Sequence, residues 1–392
     1  MDSQWTTLIW LLPVAAIISW FLGRLSVRKN DTSNLRLVHP EYFKGLNYVL
    51  NEQPDKAIEV FIKMLEVDSE TVETHLALGN LFRRRGEVDR AIRIHQNLIA
   101  RPTLSRDERS IALLELGIDY MRSGLFDRAE NLFKEVVESG LHTMLAYTEL
   151  LDIYQQEKDW DNAINTARRL EHASGQNFNQ IIAHFYCEKA EELRARKENH
   201  TVRDNLHKAI SIDPECVRAS MLEAELIYEE GKYKQAIKAY KRIEKQNPDY
   251  LSEVIRPMVV CYRNLGELNE LIKYLQEMVT QHGDITSIVV LSELIAEKEG
   301  DDAAVRFITT ELKKHPTIRG LDHLIQFALA KAQGSTRESL YSIKELTGRL
   351  IKNHPLYKCS KCGFDAKLLH WQCPSCKHWS TLKPVYGFED EF

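Results

Sequence analysis

Four of the seven cysteines cluster near the C-terminus, in the segments Cys359-Ser-Lys-Cys362 and Cys373-Pro-Ser-Cys376. Two C-x2-C pairs separated by ten residues can present four thiolates to one ion, which completes a closed tetrahedral site. Chance rarely places four free cysteines at this spacing. The sequence therefore predicts a metal site whose ligands are Cys359, Cys362, Cys373 and Cys376.

The identity of the ion stays open at this stage, because tetrathiolate sites take zinc or iron. The ten-residue loop suits a zinc ribbon, whereas the segments Cys-x2-Cys-Gly and Cys-Pro-x-Cys resemble rubredoxin, which holds iron. Gly363 permits a tight turn after the first pair, and Pro374 restricts the second. His370 and His378 lie nearby in sequence, but four thiolates complete the site, so we expect both histidines to be exposed or to support the ligands.

We refer to residues 354–392 as the knuckle. A segment of this size needs its ion to fold, and a structural ion contributes on the order of 10 kcal/mol. Four of the knuckle's aromatic residues lie between the two cysteine pairs or after the second pair, namely Phe364, Trp371, Trp379 and Tyr386, and such rings bury large apolar areas when they pack. We expect these side chains to pack the knuckle onto the last helices of the domain before it.

A repeated pattern of small and apolar residues occupies the chain between Tyr42 and the knuckle. A clear copy consists of Gly79, Phe82, Gly86 and Ala91. The last position of this pattern recurs at 57, 91, 129, 163, 202, 236, 271 and 305, with spacings of 34 to 39 residues. A period of 34 residues is the signature of the tetratricopeptide repeat (TPR), which forms two antiparallel helices per copy.

The repeats predict an all-α fold, a TPR solenoid of about nine helix pairs over residues 39–353. Gly or Ala in one helix allows a large residue of its neighbour to pack closely. No pair buries its apolar face alone, so the copies stack. The ninth pair, from Ile318 to Ile351, follows the pattern least well. TPR arrays bind extended peptides or helices on the face lined by their first helices, and we expect function there.

An uncharged segment runs from Ser3 to Gly23, and its centre is almost entirely apolar. About 20 helical residues cross the roughly 30 Å hydrocarbon core of a bilayer. We therefore predict a single transmembrane anchor over residues 1–25 and a linker over residues 26–38.

The charges beside this segment predict its orientation. No Lys or Arg precedes it, whereas Arg24, Arg28, Lys29 and Arg36 follow it. The missing basic region argues against a cleaved signal peptide. By the positive-inside rule, the array and the C-terminus face the cytoplasm. Scattered cysteines at 187, 216 and 261 agree with a reducing compartment.

Composition and motifs exclude several classes of function. The formal net charge of −5 gives no reason to expect nucleic acid as a partner. No phosphate-binding loop, His-Glu-x-x-His or Gly-x-Ser-x-Gly motif occurs, so the sequence predicts no enzyme and no catalytic residue. The run from Arg83 to Arg85 is interpreted as a solvated helix end, with an acidic partner or lipid phosphate as the alternative.

These features together resemble one bacterial family. The segment from Tyr42 to Gly86 contains Asn-Glu-Gln-Pro-Asp-Lys-Ala-Ile-Glu-Val-Phe and Thr-His-Leu-Ala-Leu-Gly-Asn-Leu-Phe-Arg-Arg-Arg-Gly. It closely resembles the lipopolysaccharide assembly protein B family (LapB, also YciM). The anchor, array and four-cysteine tail match that family in the same order over essentially the whole chain.

The resemblance implies a role that the residues alone do not show. Members lie in the inner membrane of Gram-negative bacteria and act with the membrane protease FtsH. They promote degradation of LpxC, the deacetylase of the lipid A pathway, and so restrain lipopolysaccharide synthesis and coordinate it with export. The family's tail is rubredoxin-like, and the four cysteines match its ligands one for one, which places iron beside zinc.

Two classes of function follow. The first is a scaffold or proteolysis adaptor, whose partners are FtsH, LpxC, inner-membrane lipid and components of lipopolysaccharide export. The second is a redox or iron-sensing protein that uses the four-cysteine site. Metal exchange distinguishes them, because a scaffold works with zinc in place of iron and an electron carrier does not.

Overall fold

A computed structural model of the chain describes residues 40–67 and 71–385. This part forms eighteen α-helices, one 3-10 helix (Pro248–Tyr250) and three short strands. The predicted anchor and linker, residues 1–38, lie outside the described residues. Between residues 40 and 385, apart from 68–70, no helix combines the length and apolarity that a membrane span requires.

The elements have the following bounds. The helices are α1 Pro40–Leu50, α2 Pro54–Val67, α3 Val72–Arg84, α4 Val88–Ile99, α5 Arg106–Arg122, α6 Phe126–Ser139, α7 Thr143–Glu157, α8 Trp160–Ser174, α9 Asn179–Ala195, α10 Asn199–Ile212, α11 Val217–Glu229, α12 Tyr233–Gln246, α13 Leu251–Leu265, α14 Leu268–His282, α15 Ile285–Glu299, α16 Asp301–Lys314, α17 Ile318–Lys331 and α18 Gly334–Asn353. The strands are β1 Tyr357–Cys359, β2 Asp365–Ala366 and β3 Leu382–Pro384.

The described residues divide into two compact units, unit 1 up to Glu149 and unit 2 from Leu150 onward. In each unit a first helix packs against the second helix that follows it, for example α3 on α4 and α11 on α12. The result is an all-helical TPR solenoid followed by a four-cysteine knuckle, which confirms this part of the predicted fold class.

Small residues let paired helices approach closely, as predicted. A Cβ atom added to Gly45 would lie 2.5 Å from Phe61 Cε1, and one added to Gly117 would lie 2.5 Å from Phe133 Cε1. Gly79 meets the ring of His95 in the same way. Because the partner side chains are fully buried, these positions leave no room for a larger residue.

The turn between the two helices of a pair repeats one backbone device. The residue two positions before a second helix has a positive φ, which glycine adopts most easily, as at Gly86 (φ +80°) and Gly124 (φ +73°). Lys158 (φ +59°) and Lys197 (φ +63°) occupy the same position before α8 and α10. Tertiary packing therefore completes the repeat where the sequence pattern is degenerate.

One predicted repeat position is wrong by one residue. Seven of the tracked positions are fully or almost fully buried, but the eighth, Val305, is only partly buried. Ala304 has no exposed surface and takes its place, three residues after the start of α16. Only Gly300 separates α15 from α16, so this turn is shorter than the others and the register shifts.

The interpretation of Arg83 as a solvated helix end is also wrong. Its side chain is only 15% exposed, and its guanidinium donates to Glu115 Oε2 at 2.6 Å and to Asp119 Oδ1 at 2.8 Å. Asp119 in turn lies 2.6 Å from His95 Nδ1. The network joins α3, α4 and α5, because a buried charge needs an opposite charge beside it.

Candidate metal centre and its docking surface

Two similar turns position the four cysteines. Cys359 ends β1, which pairs in antiparallel fashion with both β2 and β3. The N–H of Gly363 donates to Cys359 O at 2.9 Å, and the N–H of Lys377 donates to Cys373 O at 2.9 Å. Gly363 has a φ of +74° and Lys377 a φ of +60°. Each C-x2-C segment therefore closes a tight turn that directs its two sulfurs inward.

The four sulfurs form a compact group. Cys359 Sγ lies 3.7 Å from Cys376 Sγ, and Cys362 Sγ lies 3.7 Å from Cys373 Sγ. All four sulfurs lie within 4.8 Å of one another. Tetrahedral coordination with metal–sulfur bonds of about 2.3 Å requires sulfur separations of about 3.8 Å. The spacing therefore fits one ion held by four thiolates, and when bound it would cross-link the two turns.

Neighbouring groups favour a thiolate at Cys359. Burial of the sulfur opposes ionisation, but the Thr381 hydroxyl 3.3 Å away and the backbone N–H groups of Cys362 and Lys361 outweigh it. Together they lower the pKa of Cys359 to about 6. A thiol that ionises near neutral pH is ready to bind a metal. The sequence did not predict this role of Thr381, because no recognisable motif includes the residue.

His370 and His378 are both exposed and do not belong to the sulfur cluster. His378 Nδ1 lies 2.8 Å from Cys376 O, so this side chain braces the second turn. The other three cysteines, 187, 216 and 261, are buried free thiols in the array.

The knuckle docks on the first helices of unit 2 through aromatic rings. The ring of Trp379 stacks on His184 of α9, with centroids 4.8 Å apart, and meets Phe185 edge-on at 5.9 Å. Trp371 stacks on Tyr250 at 5.4 Å, just before α13. Such contacts add to the free energy gained by burying the ring area.

Polar contacts surround these rings. Ser380 Oγ lies 2.6 Å from His184 Nε2, and the Tyr250 hydroxyl donates to Leu382 O at 2.9 Å. Four further contacts join the knuckle to the array, namely Tyr357 to Glu253 at 2.8 Å, Lys383 to Asp249 at 2.7 Å, and Trp379 and Gln372 each to Gln155 at 3.4 Å. The docking surface thus extends over α7, α9 and the start of α13.

This placement corrects the predicted role of the aromatic residues. Trp371 and Trp379 do pack the knuckle onto the array, but on α9 and beside α13 rather than on the last helices. Phe364 packs inside the knuckle itself. Tyr386 lies outside the described residues. The receiving residues His184 and Tyr250 were missed, because nothing local in the sequence distinguishes them from core positions of the repeat.

Family comparisons agree with both parts of the chain. A family described as "Rubredoxin metal binding domain" matches residues 357–384. Tetratricopeptide repeat families match residues 74–109, 114–178 and 194–250. The knuckle is therefore a rubredoxin-like zinc ribbon that follows a TPR array.

Whole-length relatives decide the family. Lipopolysaccharide assembly protein B of Escherichia coli K12 is 38% identical over 380 residues, which cover 97% of this chain and 98% of that protein. The protein of the same name from Haemophilus influenzae is 37% identical over 391 residues, with the same coverage. The chain belongs to the lipopolysaccharide assembly protein B family.

Two solved structures are similar to parts of this family member at low identity and low TM-score. The MamA protein is 19% identical over 54% of this chain and 91% of that chain, with a TM-score of 0.28. The C-terminal part of a TPR repeat-containing protein from Cytophaga hutchinsonii is 14% identical over 67% and 98%, with a TM-score of 0.38.

Docking in this family member should weaken in acid because of His184. Burial, to which the Trp379 ring of the knuckle contributes, and then the charge of Arg218 lower the pKa of His184 from 6.5 to about 3. Because the docked protein binds a proton at His184 more weakly than the undocked protein does, protonation favours the undocked state. The free energy of docking that the neutral His184 contributes is therefore complete above pH 6.5 and falls as the pH drops towards 3. We expect docking to weaken at pH 5 relative to pH 7.5, by at most about 2 kcal/mol, which is the value if the whole pKa shift arises on docking.

Tryptophan fluorescence of the full chain between pH 7.5 and 5, with the bound metal assayed at each point, measures this change. His184→Gln keeps a polar partner for Ser380 but does not titrate, so its profile should be flatter. An identical pH profile in the two proteins would show that His184 does not couple protonation to docking.

Proposed function

We propose that this protein is an inner-membrane scaffold that restrains lipopolysaccharide synthesis by promoting FtsH-dependent degradation of the deacetylase LpxC, and that it coordinates synthesis with export. The observation that carries the proposal is the whole-length similarity to lipopolysaccharide assembly protein B of Escherichia coli. A TPR array supports it, since stacked helix pairs offer long surfaces for protein partners.

A groove on the first helices of unit 1 is the partner surface that we favour. It has a volume of about 360 Å³ and includes Tyr42, Leu46, Leu76 and Asn80 among its lining residues. The Asn80 Oδ1 atom is buried and has no hydrogen-bond partner in the described part of the chain. An unsatisfied buried acceptor costs free energy, and a bound peptide N–H would remove that cost.

Degradation of LpxC tests the proposal. In an Escherichia coli strain depleted of its own relative, expression of this chain should shorten the half-life of LpxC severalfold and restore normal lipopolysaccharide levels. Asn80→Ala should lengthen that half-life again, whereas Asn264→Ala, which removes an exposed amide of α13, should not. A stable LpxC in the presence of the folded, expressed chain would refute the proposed mechanism.

Orientation in the membrane is part of the proposal. The uncharged run at residues 3–23 and the basic residues after it support an anchor with the array in the cytoplasm. A reporter fused after Phe392 should be active only if it is of a cytoplasmic type. Protection of the array from protease in inverted vesicles would contradict this orientation.

The rubredoxin-like match supports a second candidate, a redox or iron-sensing protein. The sulfur spacing accepts either zinc or iron, so the two candidates differ in what the ion must do. Replacement of iron by zinc should leave LpxC degradation unchanged if the site is structural. Loss of activity in a folded, zinc-loaded protein would favour the redox role instead.

A further inference from the structure

A cavity of about 360 Å³ lies in unit 2 where three successive first helices, α13, α15 and α17, meet the knuckle. Its apolar lining comes from both sides. Ile285 and Val289 belong to α15, and Leu356 and Pro384 belong to the knuckle. The cavity can therefore accept an apolar side chain of a ligand.

The charged residues around the cavity differ in the hydrogen bonds and ion pairs that they form. Glu253 already accepts hydrogen bonds from the hydroxyls of Tyr357 and Ser252, and Asp322 accepts one from Thr347. In contrast, Arg319 is half-buried and forms no hydrogen bond or ion pair within residues 40–67 and 71–385. The acidic charges have partners in the protein, whereas this cationic charge is available.

Two further groups near the cavity are incompletely paired. Arg256 lies 3.8 Å from Glu293, beyond hydrogen-bonding distance, and its side chain is 66% exposed. His323 Nε2 is buried without a hydrogen-bond partner, and its distance to the same carboxylate is 3.9 Å. A buried polar atom without a partner costs free energy, and a ligand oxygen or water between these groups would reduce that cost.

We propose that this cavity binds a peptide segment of a partner protein that carries a carboxylate beside an apolar side chain. Arg319 and Arg256 pair with the carboxylate, because a guanidinium matches a carboxylate in both charge and shape. The apolar side chain lies against Ile285 and Val289. The inference rests on the proposed scaffold role, since it assigns one peptide-binding site to that scaffold.

Peptide binding to the full chain in detergent tests the proposal. The probe is fluorescein-labelled Leu-Glu-Asp-Phe, and the matched control peptide is Leu-Gln-Asn-Phe amide. We expect saturable binding of the acidic probe alone. Arg319→Ala should weaken it about tenfold, equivalent to about 1.4 kcal/mol, and Arg319→Glu should abolish it. Lys331→Ala removes a positive charge from the same helix outside the cavity and should change the affinity less than twofold.

Several outcomes would overturn the inference. Equal binding of the two peptides would show that no carboxylate is recognised. Equal losses in Arg319→Ala and Lys331→Ala would show that general charge attracts the probe. Binding only after deletion of residues 386–392, whose sequence includes Glu389, Asp390 and Glu391, would assign the cavity to the chain's own tail. If the probe fails to bind while LpxC degradation proceeds, the site is wrong and the proposed function stands.

Discussion

Replacement of Cys373 by serine should release the metal from the knuckle. Cys373 has no exposed surface, and its sulfur lies 3.7 Å from that of Cys362. Three thiolates hold the ion far less tightly than four, and the ion contributes on the order of 10 kcal/mol to folding of such a segment. Metal analysis should fall from one ion per chain to well below half occupancy.

A matched control separates loss of a ligand from loss of a buried thiol. Cys261 is also fully buried, but it lies in α13 and outside the sulfur cluster. Cys261→Ser should therefore retain the metal. Full occupancy in Cys373→Ser would show that Cys373 is not a ligand.

Metal loss should also undock the knuckle. The rings of Trp371 and Trp379 pack on Tyr250 and α9, and they flank the second C-x2-C turn, which the bound ion would cross-link to the first. In Cys373→Ser we expect protease to remove the knuckle while the helical circular dichroism of the array persists. If the metal is lost and lipopolysaccharide control stays normal, the knuckle is a dispensable stabiliser and docking has no functional role.

Gly117→Leu should strongly destabilise the array. A Cβ atom added at this position would lie 2.5 Å from the buried ring of Phe133, so the helices α5 and α6 must move apart to accept leucine. Overpacking of this kind costs roughly 1–3 kcal/mol, and occasionally more. Urea denaturation should show a lower free energy of unfolding for the first unit, and Gly117→Ala should show the same direction of change.

Gly348 provides the matched control. It lies inside α18, and apart from its chain neighbours and the nearby backbone of α18 itself, no described atom lies within 4 Å of the position that its Cβ would take. Gly348→Ala should stabilise the chain by up to about 1 kcal/mol, because alanine favours a helix more than glycine does. Equal effects at the two positions would refute the packing register described for the repeats.

Local patterns made the repeat predictable. Gly45 and Gly117 mark close helix contacts, because the phenylalanine ring that packs against each glycine lies about sixteen residues later along the chain. Both partners then fall within one copy, and the period of the copies shows in the sequence. The same reasoning failed at Val305, because a shortened turn at Gly300 moved the register without changing the residue types.

The paired charges were less predictable. Arg83 lies in a basic run that is typical of solvent exposure, yet its partners Glu115 and Asp119 belong to the next first helix, 32 and 36 residues away. Only stacking of successive copies brings these groups together. Burial then selects the ion pair, because a charge removed from water must find an opposite charge.

By itself the sequence determined the repeat period, the small-residue contacts and the grouping of the four cysteines, since each depends on residues within one copy or within one short segment of the chain. The tertiary structure alone decided where the knuckle docks. Its contacts join residues 132 positions apart at Tyr250 and Leu382, and 224 apart at Gln155 and Trp379. No periodic pattern connects such distant positions, because their meeting depends on how the intervening helix pairs stack before the chain returns to α9 and α13.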